Sequence, residues 1–286
     1  MNRLAIETST EQLSVAVSAR GQVWSHQGPG GAQASAGLLA AVHQVLAQAG
    51  LGLNDIGVIA MGRGPGSFTG LRTACAVSQG LAFGLGVGIV PIDTLLALAE
   101  EGRHICAADL SQAQAGPDNA APMSAHLGLG VVAQPAQKHP SNAQNSAPPK
   151  VEGIDRFYAV IDARMGQLYT AAYEHRAGLW HTMQAPAVQN PADCALPQAW
   201  SGQPVWAVGL AQDLLPTLNG VALSWVAAHP TASALLRLAD QAQADGGEVP
   251  PALALPLYLR DKVAQTTAER ALAKANATAT GGQAGP

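Results

Sequence analysis

Short apolar runs broken by polar residues open the chain. Residues 4–7 and 13–17 predict a β-hairpin, and residues 22–27 add a third strand. The period then changes. From Ser35 to Ala49 the apolar positions Leu38, Leu39, Val42, Val45 and Leu46 fit an amphipathic helix, with Gly50 as its stop. Residues 56–61 read as a buried strand. A glycine-rich loop over 62–70 leads into a second helix from Leu71 to Leu85. A strand over 88–92 and a helix near 94–102 follow.

The pattern fades over 104–154, where Ala, Gln, Pro, Asn and Ser replace large apolar residues. This predicts a disordered insertion. Periodicity returns at Phe157. The expected organisation is an N-terminal αβ subdomain (1–103), the insertion (104–154), a C-terminal αβ subdomain (155–267) and an unstructured tail (268–286). The second half begins as the first does. Residues 157–162 echo 3–7, each an apolar strand ending in a carboxylate, followed by a polar turn and a further strand (13–17 and 167–173). The echo points to a duplicated unit facing a cleft.

With 286 residues, 48% of them hydrophobic, the chain can bury a sizeable core. A net charge of −4 without clustered Lys and Arg disfavours a strong direct grip on nucleic acid. Cys75, Cys106 and Cys194 form no CxxC pair and read as reduced thiols in a cytoplasmic protein. The N-terminus lacks a secretory apolar stretch, and the Leu81–Ile92 run is too short and glycine-rich to cross a bilayer. No two histidines stand at HxxxH or HxxH spacing, so no metal site is expected.

The loop Gly62-Arg63-Gly64-Pro65-Gly66-Ser67-Phe68-Thr69-Gly70 is the most informative segment. Glycines admit close approach of a ligand, and the following helix offers free N–H groups. Two readings stay open: a phosphate or carbamoyl cradle, or a tightly packed strand-to-helix turn. It is neither a P-loop nor a nucleophile elbow, because GK[ST] and GxSxG are both missing. Glu7, Thr8, Ser9, Gly64, Gly66, Ser67, Thr69, Asp162 and Arg164 are the candidates for a vestigial nucleotide or anion site. The bulky Arg164-Met165 turn argues against an active ATP site, and Asp162 with Arg164 also reads as a structural pair. On the two helices, Leu38, Leu39, Val42, Val45, Leu46, Leu71, Arg72, Cys75, Ser78, Gln79 and Ala82 are candidates for a partner interface; core packing is the alternative.

Four segments in order, Leu4–Thr10, Gly62–Arg72, Ile161–Tyr169 and Tyr258–Arg260, resemble the signatures of the TsaB (YeaZ) family. The resemblance covers roughly 1–102 and 155–262. It implies a duplicated α/β, actin/Hsp70-like (ASKHA) fold of two αβ subdomains. It implies a part in forming threonylcarbamoyladenosine beside the anticodon of tRNAs reading A-starting codons. The implied role is that of a non-catalytic scaffold and activator of the paralogous TsaD-like catalytic subunit. A TsaE-like ATPase would join a larger complex, tRNA would be touched indirectly, a homodimer would form when the partner is missing, and no cofactor or membrane would be involved. The paralogue holds a metal through an HxxxH pair; Thr94 and Leu98 stand at those positions here. Ala34 stands where many relatives have a nearby histidine. The rivals are an ASKHA-type ATP-dependent phosphotransferase and a metallo-glycopeptidase.

Overall fold

The computed structural model describes residues 1–114, 154–215 and 223–260. Strands β1 (Arg3–Glu7), β2 (Gln12–Ala19), β3 (Gln22–Pro29), β4 (Val58–Gly64) and β5 (Gly88–Asp93) form one sheet in the order β3-β2-β1-β4-β5. β1 pairs antiparallel with β2 and parallel with β4, and β4 pairs parallel with β5. The central strands are covered on both faces, which explains their nearly continuous apolar runs. Leu4 and Ile6 point to one core and Ala5 to another; Ile59 and Met61 alternate likewise with Val58 and Ala60.

Helices α1 (Ala34–Ala49) and α2 (Phe68–Leu85) cover the outer face of this sheet. α1 ends at Gly50, whose φ of 66° is the left-handed conformation that glycine adopts without penalty. α2 begins three residues before the expected Leu71, because Ser67 caps it by accepting from the Gly70 N–H.

The second sheet repeats the first. Strands β6 (Ile154–Arg164), β7 (Gln167–Arg176), β8 (Leu179–Gln189), β9 (Val205–Gly209) and β10 (Leu223–Val226) run in the order β10-β9-β6-β7-β8. Their directions match too: β6 is antiparallel to β7 and parallel to β9, and β9 is parallel to β10. The molecule is a mixed α/β fold with two five-stranded mixed sheets of one topology.

Between the sheets lie α3 (Thr94–Gln114) and α4 (Ala232–Ala244), exchanged between the halves. α3 follows β5 yet packs on β6, β7 and β9, while α4 follows β10 yet packs on β1, β2 and β4. Leu95 and Leu98 from α3 and Leu235 and Leu238 from α4 join Phe157, Tyr173 and Val208 in the shared core. Glu100 on α3 is almost wholly buried. It accepts bonds from Arg103, Arg237 and the Trp180 indole, and Glu101 binds Arg237 and Thr231. Burial pushes the Glu100 carboxyl up, but the two guanidinium groups outweigh it and hold the group below its ordinary range.

The helix expected near 94–102 runs on to Gln114, so the start of the 104–154 stretch is helical. The rest of that stretch, and the tail over 268–286, lie outside the described residues.

Candidate functional site

Two regions carry the candidate residues: the cleft between the halves and the outward face of α1 and α2. At the cleft, the glycine loop is filled by the chain itself. A Cβ on Gly62 would stand 1.9 Å from Glu7 Oε2, one on Gly66 2.3 Å from the Ser9 carbonyl oxygen, and one on Gly70 1.9 Å from the Thr8 carbonyl oxygen. Gly64, at φ 107°, approaches the Leu71 side chain and the Leu257 carbonyl. These glycines let α2 and its loop press against the end of β1. Gly62, Gly66 and Gly70 fit the packed-turn reading on the β1 side, while Gly66, Ser67 and Thr69 also line the open cleft.

Glu7 and Thr8 belong to this packing and are fully buried. The Ser9 N–H donates to Glu7 Oε1 at 2.6 Å, Thr94 Oγ1 to Glu7 Oε2 at 3.3 Å, and Thr8 Oγ1 to the Gly70 carbonyl at 2.7 Å. Burial raises the Glu7 carboxyl above its ordinary value, and the bonds from Ser9, Thr94 and Thr8 offset only part of that. The expectation that Glu7 and Thr8 face an anion is therefore corrected: they tie β1 to the loop, out of reach of the cleft. Thr94 also accepts from the Gly64 N–H at 3.1 Å, and Leu98 is buried between the sheets. Among the described residues, no three His, Cys, Asp or Glu side chains converge in a metal-holding group.

A cavity of about 620 Å³ remains between the halves. Ser9, Ser67 and Thr69 line it from one side, Asp162 and Arg164 from the other, with Leu98, Val160 and Ala228 as apolar floor. Asp162 Oδ1 accepts from the Arg164 N–H at 2.7 Å, the structural pairing that the sequence left as one alternative. The Arg164 guanidinium also reaches across to Glu11 Oε1 at 2.5 Å. Arg164, Met165 and Gly166 all have positive φ (64°, 57° and 71°), in a tight hairpin turn where bulky residues are uncommon. Glu11 carried no sequence signal, because its partner lies in the other half.

On the helices, the expected interface needs correction. Leu38, Val42, Val45, Leu46, Leu71, Cys75, Ser78 and Ala82 are buried within the chain. The apolar stripe at helical spacing faces the chain's own sheet, which claims it before any partner does. Cys75 Sγ and Gln79 Nε2 both donate to the Ala254 carbonyl, so the C-terminal segment covers that side of α2. Leu39 and Arg72 remain exposed. Beside them the outward face carries Ala36, Gly37, Ala40, Ala76, Gly80 and Gly84, and Phe83 is 83% exposed. A Cβ added at Gly37, Gly80 or Gly84 would meet nothing within 4 Å among the described residues. Phe83 lies outside the sequence-predicted interface, which on this helix comprises Leu71, Arg72, Cys75, Ser78, Gln79 and Ala82; its position off the buried side of α2 was the available signal.

No described helix is long and apolar enough to cross a membrane. The family profile described as tRNA N6-adenosine threonylcarbamoyltransferase, TsaD, matches residues 26–114, from β3 to the end of α3. The Haemophilus influenzae tRNA threonylcarbamoyladenosine biosynthesis protein TsaB is 42% identical over 97 residues, 34% of this chain and 41% of its own. The solved structure of YeaZ from Pseudomonas aeruginosa superposes with a TM-score of 0.69 at 29% identity, covering 90% of this chain and 99% of its own. The Escherichia coli K12 protein TsaB, also named for tRNA threonylcarbamoyladenosine biosynthesis, is 30% identical over 270 residues, covering 92% of this chain and 96% of its own. With a match of that extent, and with the four sequence signatures gathered around one cleft, the chain belongs to the TsaB (YeaZ) family.

Proposed function

We propose that the chain acts in threonylcarbamoyladenosine formation on tRNA as a non-catalytic scaffold and activator of a TsaD-like catalytic subunit. The frame is an ASKHA duplication, each sheet being the centre of one subdomain, with a TsaE-like ATPase joining the assembly. The observation that carries this reading is the outward face of α1 and α2. Gly80 sits in the middle of α2, where glycine costs roughly 1 kcal/mol relative to alanine, with Gly37 in the first turn of α1 and Gly84 in the last turn of α2, and nothing among the described residues occupies the space that the three leave. Small residues flanked by exposed Leu39 and Phe83 suit close packing against helices of another protein. A partner that binds only the competent conformation of the catalyst raises its population, so contact alone supports activity. The same face supports a homodimer when the partner is missing, and the net charge of −4 favours indirect contact with tRNA.

The phosphotransferase rival loses its anchor, since the carboxylate at the end of β1 is buried and the loop glycines are filled by chain atoms. The glycopeptidase rival lacks imidazoles at Thr94 and Leu98. Reconstituted transfer tests the proposal. The isolated chain transfers no threonylcarbamoyl group to tRNA, and adding it to the TsaD-like and TsaE-like subunits raises their transfer. Transfer by the chain alone refutes the reading.

A further inference from the structure

The segment after α4 returns along the first half and ends on the second. Val249 pairs with Ile89, the Leu257 N–H donates to the Arg63 carbonyl at 2.7 Å, and the Tyr258 ring lies 5.0 Å from that of Phe68. Two residues on, Arg260 binds Gln167 Oε1 at 2.6 Å and the Arg164 carbonyl at 3.2 Å, both on the β6–β7 turn of the other half. The chain thus crosses the cleft rim beside the Arg164–Glu11 ion pair, which crosses it in the opposite sense. The Arg164–Glu11 pair and the bond to the Arg164 carbonyl are solvent-exposed and the bond to Gln167 is part-buried, and exposed pairs of this kind hold weakly. They therefore set a position without locking it. At the other end, Arg72 stacks over Phe68 at 3.7 Å and donates to the Tyr258 hydroxyl at 3.3 Å, while it stands exposed on the outward face of α2.

We propose that Tyr258–Arg260 is a clasp that sets how far the cleft opens, and that Arg72 gives a partner seated on the helix face a handle on it. The second part rests on the docking reading above; the first does not. The geometry is a short relay from the α2 surface through Tyr258 and Arg260 to the β6–β7 turn. A partner that engages Arg72 weakens its hold on Tyr258 and shifts the balance between closed and open clefts.

Hydrogen exchange on the full chain tests the clasp. In Arg260→Ala, amides of the 164–167 turn and of the 8–11 turn exchange about fivefold faster, with an unchanged urea midpoint. Unchanged rates in both turns overturn the clasp. For the relay, adding the TsaD-like subunit changes exchange at 164–167 by about threefold in the parent. Tyr258→Phe keeps the ring and removes the acceptor for Arg72, so it binds the subunit as the parent does but loses that remote change. A remote change that survives in Tyr258→Phe overturns the relay, as does none in the parent despite a formed complex. If no complex forms with the parent, the docking reading falls and takes the relay with it, while the Arg260→Ala result still decides the clasp.

Discussion

The two halves share a sheet and differ in what covers its outer face. The first half uses α1 and α2, whose inner stripes fill the core and whose outer sides are exposed among the described residues. The second half, among its described residues, uses short 3-10 turns at Pro191–Asp193, Gln198–Trp200 and Gln212–Leu214. There Trp200, fully buried, fills the space against Tyr158, Val160 and Leu168. Its indole donates to Glu174 at 2.8 Å, and Glu174 pairs with the largely buried Arg156. One topology therefore supports two ends. A helix pair leaves a smooth second face to offer, whereas one large aromatic closes its core and offers little. In the proposed role, docking capacity follows from the cover, not from the sheet.

The sharpest way to break this contrast is on α1, where the inner and outer sides of one helix should respond oppositely. Val42→Glu places an unpaired carboxylate in the core and should cost about 4 kcal/mol or more, enough to unfold the chain. Leu39→Glu, one turn away on the outer side, should shift the urea midpoint by less than about 0.5 kcal/mol equivalent. In the second half, Trp200→Ala should cost about 3–5 kcal/mol and leave affinity for the TsaD-like subunit intact wherever the chain is folded, read by denaturation and by titration. A loss of affinity in folded Trp200→Ala would erase the distinction between the halves.

Smaller effects probe the loop and the helix surface. Glu7 is raised above its ordinary value of 4.5 by burial. Above that pH the folded chain keeps a proton the unfolded chain has released, so its contribution is full at lower pH and is lost as pH rises through the folded value. Glu7→Gln should therefore gain stability relative to the parent as pH rises above the ordinary carboxylate value, seen as diverging urea midpoints. The smallest effect is on Gly80, exposed within α2. Gly80→Ala should stabilise the chain by about 0.5–1 kcal/mol while weakening subunit binding, a split that a purely structural glycine would not give.

The first half was largely legible because local periodicity suffices for it. The β1–β2 apolar runs, the α1 stripe and the Gly50 stop are local signals, and each matches the structure. The sequence did not separate core from interface on α1 and α2. A stripe shows which side is apolar, not whose surface it meets, and the outer sides built of Ala and Gly carry no hydrophobic signal at all. The glycine loop stayed ambiguous for a different reason: the atoms that occupy its space belong to Glu7, Thr8 and Ser9, far away in sequence. β8 to β10 escaped because β8 is half-buried and contains Pro186, while β9 and β10 are only five and four residues long. α4 is absent from the sequence reading, although Thr231 ahead of an Ala/Leu run was an available cap signal; its packing on the opposite half had none. α3 outlasted its apolar pattern, running through Ala- and Gln-rich sequence to Gln114.

The proposed scaffold role rests on the outer face of the helix pair. Titrating the TsaD-like subunit against the parent and against a Leu39→Glu, Phe83→Glu double variant tests it most directly, with urea midpoints confirming that both chains are folded. The predicted result is a complex with the parent and at least a hundredfold weaker binding, about 2.7 kcal/mol, with the variant. Equal affinity for the two folded chains would contradict it.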